Sequence, residues 1–107
     1  MMSGLVYCPF PTIEEARSAA HALLDAQLIA CANILGTAES IYEWNGERES
    51  SQEIAVLFKT KEALLGQCVE LLGTLHSYDS PTIIAWACEE THPSTQLWLS
   101  SLGAENL

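Results

Sequence analysis

The chain has 107 residues, of which 49% are hydrophobic and 17% are charged, and this balance is typical of a globular protein with a buried core. Its formal net charge is -10, so its surface repels the phosphates of nucleic acids and the headgroups of anionic lipids. We therefore expect no nucleic-acid or membrane partner, and we expect a single domain that spans residues 1–107.

The cellular location and the cysteine pattern can also be read from the sequence. No apolar run approaches the ~20 residues of a membrane-spanning helix, and residues 1–10 lack the basic region and cleavage site of a signal peptide. We therefore expect a cytoplasmic protein. The sequence contains four cysteines, Cys8, Cys31, Cys68 and Cys88. None of them forms a Cys-x-x-Cys pair, so most are expected to be buried as small hydrophobic side chains.

The first elements predicted along the chain are a strand and an amphipathic helix. Residues 4–10 (GLVYCPF) favour a strand that prolines end. Thr12 and Glu15 then form a capping box, in which the Thr12 hydroxyl accepts from the Glu15 amide and the Glu15 carboxylate reaches back. A helix to about Gln27 is expected. Its predicted apolar face comprises Ile13, Ala16, Ala20, Leu23 and Leu24.

The longest predicted feature is a β-hairpin across residues 30–60. Asn45-Gly46 separates two strand-like arms and is typical of a two-residue type I′ turn. Each arm has about 14 residues, far more than a usual strand, so the tip should project beyond the subunit core. The register set by this turn pairs Trp44 with Glu47, Glu43 with Arg48, Leu35 with Val56 and Ile34 with Leu57.

The two ends of this hairpin differ in character. Both faces of its base are apolar, so we expect the base to be central in the sheet. At the tip, the polar residues 47–52 lie opposite Ile41, Tyr42 and Trp44. A projecting ribbon with exposed apolar side chains favours pairing with another chain.

The remaining elements complete a recognisable order. Apolar residues at helical spacing predict a helix from Lys61 to about Leu75, and residues 82–88 (TIIAWAC) predict a strand. Residues 94–102 predict a short closing helix with Trp98 and Leu102 inward. The chain is thus predicted to be an α+β protein of the ferredoxin-like βαββαβ order, with two helices on one face of a four-stranded antiparallel sheet.

The hairpin carries a resemblance to a known family. The residues concerned are Ala30-Cys31-Ala32-Asn33, Ser40-x-Tyr42-x-Trp44-x-Gly46, and Glu53 with Lys59-Thr60. Together with His76-x-Tyr78-x-x-Pro81 and Trp98, they resemble the CutA family of divalent-cation tolerance proteins. The resemblance implies a ferredoxin-like subunit that forms a tight trimer through its hairpins, an architecture similar to that of the PII signal-transduction proteins, and a link to copper and other divalent ions.

The chain departs from the family pattern beside the last strand. Family members commonly have His-Pro-Tyr-x-x-Pro-Glu in this loop, whereas this chain has Ser77 at the proline and Thr82 at the glutamate. One candidate carboxylate ligand is therefore absent.

A metal site is the first functional hypothesis. Cys8 and His76 match the copper-site cysteine and histidine proposed for the family, and a thiolate with an imidazole suits copper or zinc. Asp79, three residues after His76, is a candidate third ligand. The alternative interpretation is a packed thiol and a solvated loop imidazole.

A ligand-binding cleft between subunits is the second hypothesis. Tyr42, Trp44 and Tyr78 would form its aromatic wall, and Glu53 and Lys59, which share one face of a strand, would orient a ligand. Alternatively, the two hairpin aromatics only bury area between subunits, and Glu53 and Lys59 form an intersubunit salt bridge.

Catalysis is not expected, because the sequence contains no P-loop, HExxH or GxSxG pattern and no cluster of basic residues for phosphoryl chemistry. The alternative is a catalytic dyad of Cys8 and His76, which would have to approach each other across the fold. The sequence thus predicts a non-enzymatic homotrimer in metal-ion homeostasis, with a PII-like signalling or scaffold trimer that binds a small molecule as the alternative.

Overall fold

The computed structural model describes residues 1–103, which form one four-stranded antiparallel sheet and three α-helices. The elements in chain order are β1 (Ser3–Phe10), α1 (Ile13–Asp25), β2 (Cys31–Trp44), β3 (Glu47–Lys61), a 3-10 turn (Glu62–Leu64), α2 (Leu65–Leu75), β4 (Ile84–Cys88) and α3 (Pro93–Ser100). The strand order in the sheet is β2-β3-β1-β4. This arrangement confirms the predicted ferredoxin-like α+β fold.

The core lies between one face of the sheet and the helices α1 and α2. On the two central strands, Val6 and Cys8 of β1 and Val56 and Phe58 of β3 are fully buried against these helices. Each large apolar side chain buried in this way stabilises the fold by roughly 1.5–3 kcal/mol. Because side chains alternate along a strand, the residues between them point to the other face of the sheet, which we call the open face.

Helix α1 begins as predicted, but its capping box is only half formed. The Thr12 hydroxyl accepts a hydrogen bond of 3.1 Å from the Glu15 amide. The prediction that Glu15 reaches back was wrong, because its carboxylate accepts instead from the amide of Ser77. Leu24, predicted on the buried face, is exposed. Ala19 is buried in addition to Ala16, Ala20 and Leu23.

The hairpin turn confirms the predicted register at the tip. Asn45 and Gly46 both have positive φ, at 54° and 81°, and Trp44 pairs with Glu47 and Glu43 with Arg48. The register predicted for the base was wrong, because a β-bulge at Leu35 shifts the pairing so that Ile34, rather than Leu35, faces Val56. The bulge leaves the Leu35 side chain 59% exposed.

Three other predictions were wrong, on the hairpin base, on helix α3 and on the cysteines. Only β3 of the hairpin is central, because β2 has no strand on its far side and forms an edge of the described sheet. In α3, Leu99 is the buried residue, whereas Trp98 is 48% exposed. The orientation of α3 thus differs from the predicted one. The prediction that most of the four cysteines are buried was also wrong, because only Cys8 and Cys68 are buried and the other two are partly exposed.

The bulge can be tested with a pair of glycine variants. Gly36 has φ of +107°, which an L side chain rarely adopts, so Gly36→Ala should lower the free energy of unfolding by about 1–2 kcal/mol. The matched control is Gly73→Ala in α2, where an added Cβ meets no atom within 4 Å. This variant should raise stability by roughly 0.5–1 kcal/mol. Urea unfolding measures the stability of both variants. A Gly36→Ala variant as stable as the parent chain would contradict the positive φ at this position.

Candidate functional site

His76 is the buried anchor of the loop that joins α2 to β4. Its Nε2 lies 2.8 Å from the carbonyl oxygen of Pro9, and its Nδ1 accepts a hydrogen bond of 3.1 Å from the Tyr78 amide. Because an amide can only donate, Nδ1 is unprotonated and the ring proton lies on Nε2, which donates to Pro9. The ring stacks on Phe10 at 4.9 Å between centroids. His76 therefore attaches the loop to the end of β1.

Glu15 connects the same loop to helix α1. Its Oε2 accepts from the Ser77 amide at 3.0 Å and lies 3.6 Å from Nδ1 of His76. The carboxylate thus serves the loop rather than the helix terminus.

Cys8 shares a hydrogen-bond acceptor with His76, the carbonyl oxygen of Pro9. Its Sγ donates a weak hydrogen bond of 3.7 Å to the same Pro9 carbonyl that His76 binds. Burial, reinforced by the nearby carboxylates of Glu15 and Glu53, raises the pKa of the Cys8 thiol to about 12. The thiol is therefore protonated near neutral pH, and it must lose its proton before it can bind a metal as a thiolate.

The third predicted ligand, Asp79, is exposed on the loop. Among residues 1–103, no three His, Cys, Asp or Glu side chains converge closely enough to hold a metal ion. The sulfur and nitrogen donors of Cys8 and His76 suit copper in type. As they lie, however, the sulfur carries a proton and both nitrogens of His76 are hydrogen-bonded. A metal site at Cys8, His76 and Asp79 thus stays a prediction.

A second group of polar side chains lies on the other side of Tyr78. The Tyr78 ring packs against the His76 ring, with 4.7 Å between the ring centroids. The Tyr78 hydroxyl donates a hydrogen bond of 3.1 Å to Oε2 of Glu53. Oε1 of Glu53 accepts from the Ser40 hydroxyl at 2.6 Å. Partial burial and the bond to Glu53 raise the pKa of Tyr78 to about 12, so it remains a hydroxyl donor. The Glu53 carboxylate is thereby held between β2 and the loop.

These residues border an open cavity of about 600 Å³ between the hairpin and the loop before β4, which we call the hairpin cavity. Its lining comprises Tyr7, Pro9, Ser40, Ile41, Tyr42, Glu43, Trp44, Glu53, Tyr78, Ser80 and Thr82. Four of the residues predicted for the cleft, Tyr42, Trp44, Glu53 and Tyr78, line this one cavity. The fifth, Lys59, lies further along β3 in a separate depression of about 150 Å³ beside α3.

The sequence interpretation missed several members of these sites. Glu15 was assigned only to helix capping, and Phe10 only to a strand, although both contact the His76 loop. Ser40 was part of the hairpin motif, but no function was predicted for it. Its position two residues before Tyr42 places both side chains on one face of β2, and this spacing was the available signal.

The structure is thus that of a small ferredoxin-like α+β protein with a projecting hairpin. The family model described as the CutA1 divalent ion tolerance protein matches residues 4–101. The chain belongs to this family.

Relatives of known sequence agree with this assignment. The divalent-cation tolerance protein CutA of Pyrococcus horikoshii is 36% identical over 95 residues, which are 89% of this chain and 92% of that protein. The chloroplastic protein CutA of Arabidopsis thaliana is 36% identical over 83 residues, 78% of this chain. The match spans only 46% of the Arabidopsis protein, so the chain is similar to part of a longer protein in that case.

Solved structures confirm the fold. The CutA1 divalent ion tolerance protein of Ehrlichia chaffeensis superposes with a TM-score of 0.88 at 31% identity and covers 94% of both chains. The divalent cation tolerance protein of Thermus thermophilus gives 0.86 at 36% identity and covers 92% of this chain and 95% of that one. Within residues 1–103, no helix is long and apolar enough to cross a membrane.

Proposed function

We propose that this chain is a cytoplasmic, non-enzymatic divalent-cation tolerance protein whose single-domain subunits assemble as a homotrimer. The observation that carries the proposal is the apolar character of the open face and hairpin tip. Large side chains there are exposed, among them Trp44 at 58%, Ile84 at 55% and Trp86 at 43%. Aromatic residues are common anchors of interfaces, so exposed tryptophans at these two places fit contacts between subunits.

The edges of the sheet support the same proposal. Strands β2 and β4 are its two edges in the described part of the chain, and β2 extends well beyond the core to the turn at Asn45-Gly46. An exposed edge of this length is a template for pairing with another chain unless something covers it. A closed ring of three copies, in which each hairpin contacts the next subunit, would cover three such edges with one repeated contact. The family resemblance is the reason to propose three copies.

We further propose that the assembly binds copper or another divalent ion through Cys8, His76 and Asp79. The support is that Cys8 and His76 meet at one carbonyl, that of Pro9. Metal binding there would release the Cys8 proton. Because burial raises the Cys8 pKa, affinity should increase with pH throughout the range below about 12.

Calorimetry with Cu(II) under anaerobic conditions tests the metal proposal. Cys8→Ala and His76→Phe should each abolish binding, the latter because it retains a ring against Phe10 but no ligand nitrogen. The control is Cys68→Ala. Cys68 is also buried and its pKa is also raised, to about 11, but its thiol donates a hydrogen bond to the carbonyl oxygen of Leu28 instead. Unchanged stoichiometry in both site variants would refute this site.

A PII-like role, with a small molecule bound in the hairpin cavity, is the second candidate. The observation that favours it is the gathering of Tyr42, Trp44, Glu53 and Tyr78 around one cavity. Its volume falls within the range of small-molecule sites, which are typically aromatic with a few fixed polar groups. The Glu53 carboxylate is such a fixed polar group, because the hydroxyls of Ser40 and Tyr78 donate hydrogen bonds to it.

A further inference from the structure

We propose that the hairpin cavity binds a small organic cation, such as an alkylammonium group, with Glu53 as its counterion. This inference rests on the second candidate function, ligand binding in the hairpin cavity, and names the class of ligand. Three observations carry it: the aromatic lining, the Glu53 carboxylate that forms no ion pair, and the absence of Lys and Arg from the lining among residues 1–103.

The aromatic lining suits a cation. Tyr7, Tyr42, Trp44 and Tyr78 account for four of the residues that border the cavity. The faces of aromatic rings carry negative electrostatic potential and attract ammonium groups within about 6 Å of the ring centre. Several rings around one volume are the arrangement by which proteins recognise alkylated ammonium ligands.

Within residues 1–103 of one chain, Glu53 supplies a negative charge without a positive partner. Its carboxylate is half-buried and accepts hydrogen bonds from two neutral hydroxyls, those of Ser40 and Tyr78. Within residues 1–103 no Lys, Arg or His forms an ion pair with it. The hydroxyls orient the carboxylate but leave its charge, and each oxygen retains a lone pair for a further donor. A cationic ligand would neutralise this partly buried charge.

The charges around the cavity exclude the opposite class of ligand. Among residues 1–103, no Lys or Arg lines the cavity. Glu43, the other acidic lining residue, is already paired with Arg48 at 2.7 Å on the exposed hairpin. An anion would therefore meet the Glu53 charge with no compensating base, whereas the net charge of -10 draws cations toward the surface.

Three probes of one shape and different charge test the inference. Choline carries a trimethylammonium group, 3,3-dimethylbutan-1-ol replaces it with a neutral tert-butyl group, and 3,3-dimethylbutanoate is an anion. Titrations of the full chain followed by NMR should show that choline binds at least about tenfold more tightly than the alcohol. The anion should not bind.

Two charge-matched variants locate the effect. Glu53→Gln should weaken choline binding by about tenfold or more, because it removes the counterion but retains the shape of the side chain. Glu39→Gln removes the same charge from an exposed position on the opposite face of β2 and should bind choline like the parent chain. Equal affinity for choline and the alcohol, or equal loss in the two variants, would overturn the inference.

Sedimentation of the same samples separates this inference from the proposed assembly. A trimer that binds none of the three probes contradicts the cation site and leaves the assembly intact. A monomer that binds choline through Glu53 supports the cation site and contradicts the assembly.

Discussion

Replacement of His76 with alanine should lower the free energy of unfolding by about 3–5 kcal/mol, the range for removal of a large buried side chain. The imidazole is buried, stacks on Phe10, and bonds to both the Pro9 carbonyl and the Tyr78 amide. Alanine would leave a void beside Phe10 and two backbone groups without their partner. Backbone groups left without a partner add to the loss from the void, so the upper half of this range is expected.

A second variant separates packing from hydrogen bonding. His76→Phe retains a ring against Phe10 but loses both hydrogen bonds, so it should cost about 1–3 kcal/mol, less than alanine. Urea unfolding monitored by circular dichroism measures both variants. A loss below about 1 kcal/mol in His76→Ala would show that the imidazole does not anchor the loop.

Replacement of Trp44 with alanine should weaken self-association by about 30-fold for each contact between subunits, which corresponds to about 2 kcal/mol. Trp44 is 58% exposed at the hairpin tip, opposite Glu47, and so has little to pack against within its own subunit. The variant should therefore fold normally while its oligomer dissociates at a higher concentration. Sedimentation across a dilution series measures the shift.

The control for Trp44 is an exposed apolar residue on the helical layer. Leu75 at the end of α2 is 41% exposed, and Leu75→Ala should leave association unchanged. Equal dissociation of the parent chain and Trp44→Ala would mean that the hairpin aromatic is not an anchor of the assembly.

The part of the fold that follows from local rules could be predicted from the sequence. The Asn45-Gly46 turn determines which residues pair at the tip, and alternation then fixes which side chains share a face. The base could not be predicted in this way, because a bulge at Leu35 inserts one residue and reverses the faces below it. Gly36, a glycine inside the predicted strand and directly after Leu35, was the available signal of such an insertion.

The sites were predictable only in part, since their contacts join distant segments. Resemblance to a family singled out Cys8 and His76, but it did not indicate that both bond to the Pro9 carbonyl. The bond from Tyr78 to Glu53 depends on the position of a loop that His76 and Phe10 hold by stacking. Trp98 was expected inward, yet the smaller Leu99 occupies the buried position in α3.

We propose above all that the open face and the hairpin tip join three copies of the chain. Sedimentation equilibrium of the full chain at micromolar concentration tests it directly. Because the chain has a mass of 11.7 kDa, a homotrimer gives a species of about 35 kDa. A single species at the mass of one chain would contradict the assembly, and with it the assignment of the open face and hairpin tip to contacts between subunits.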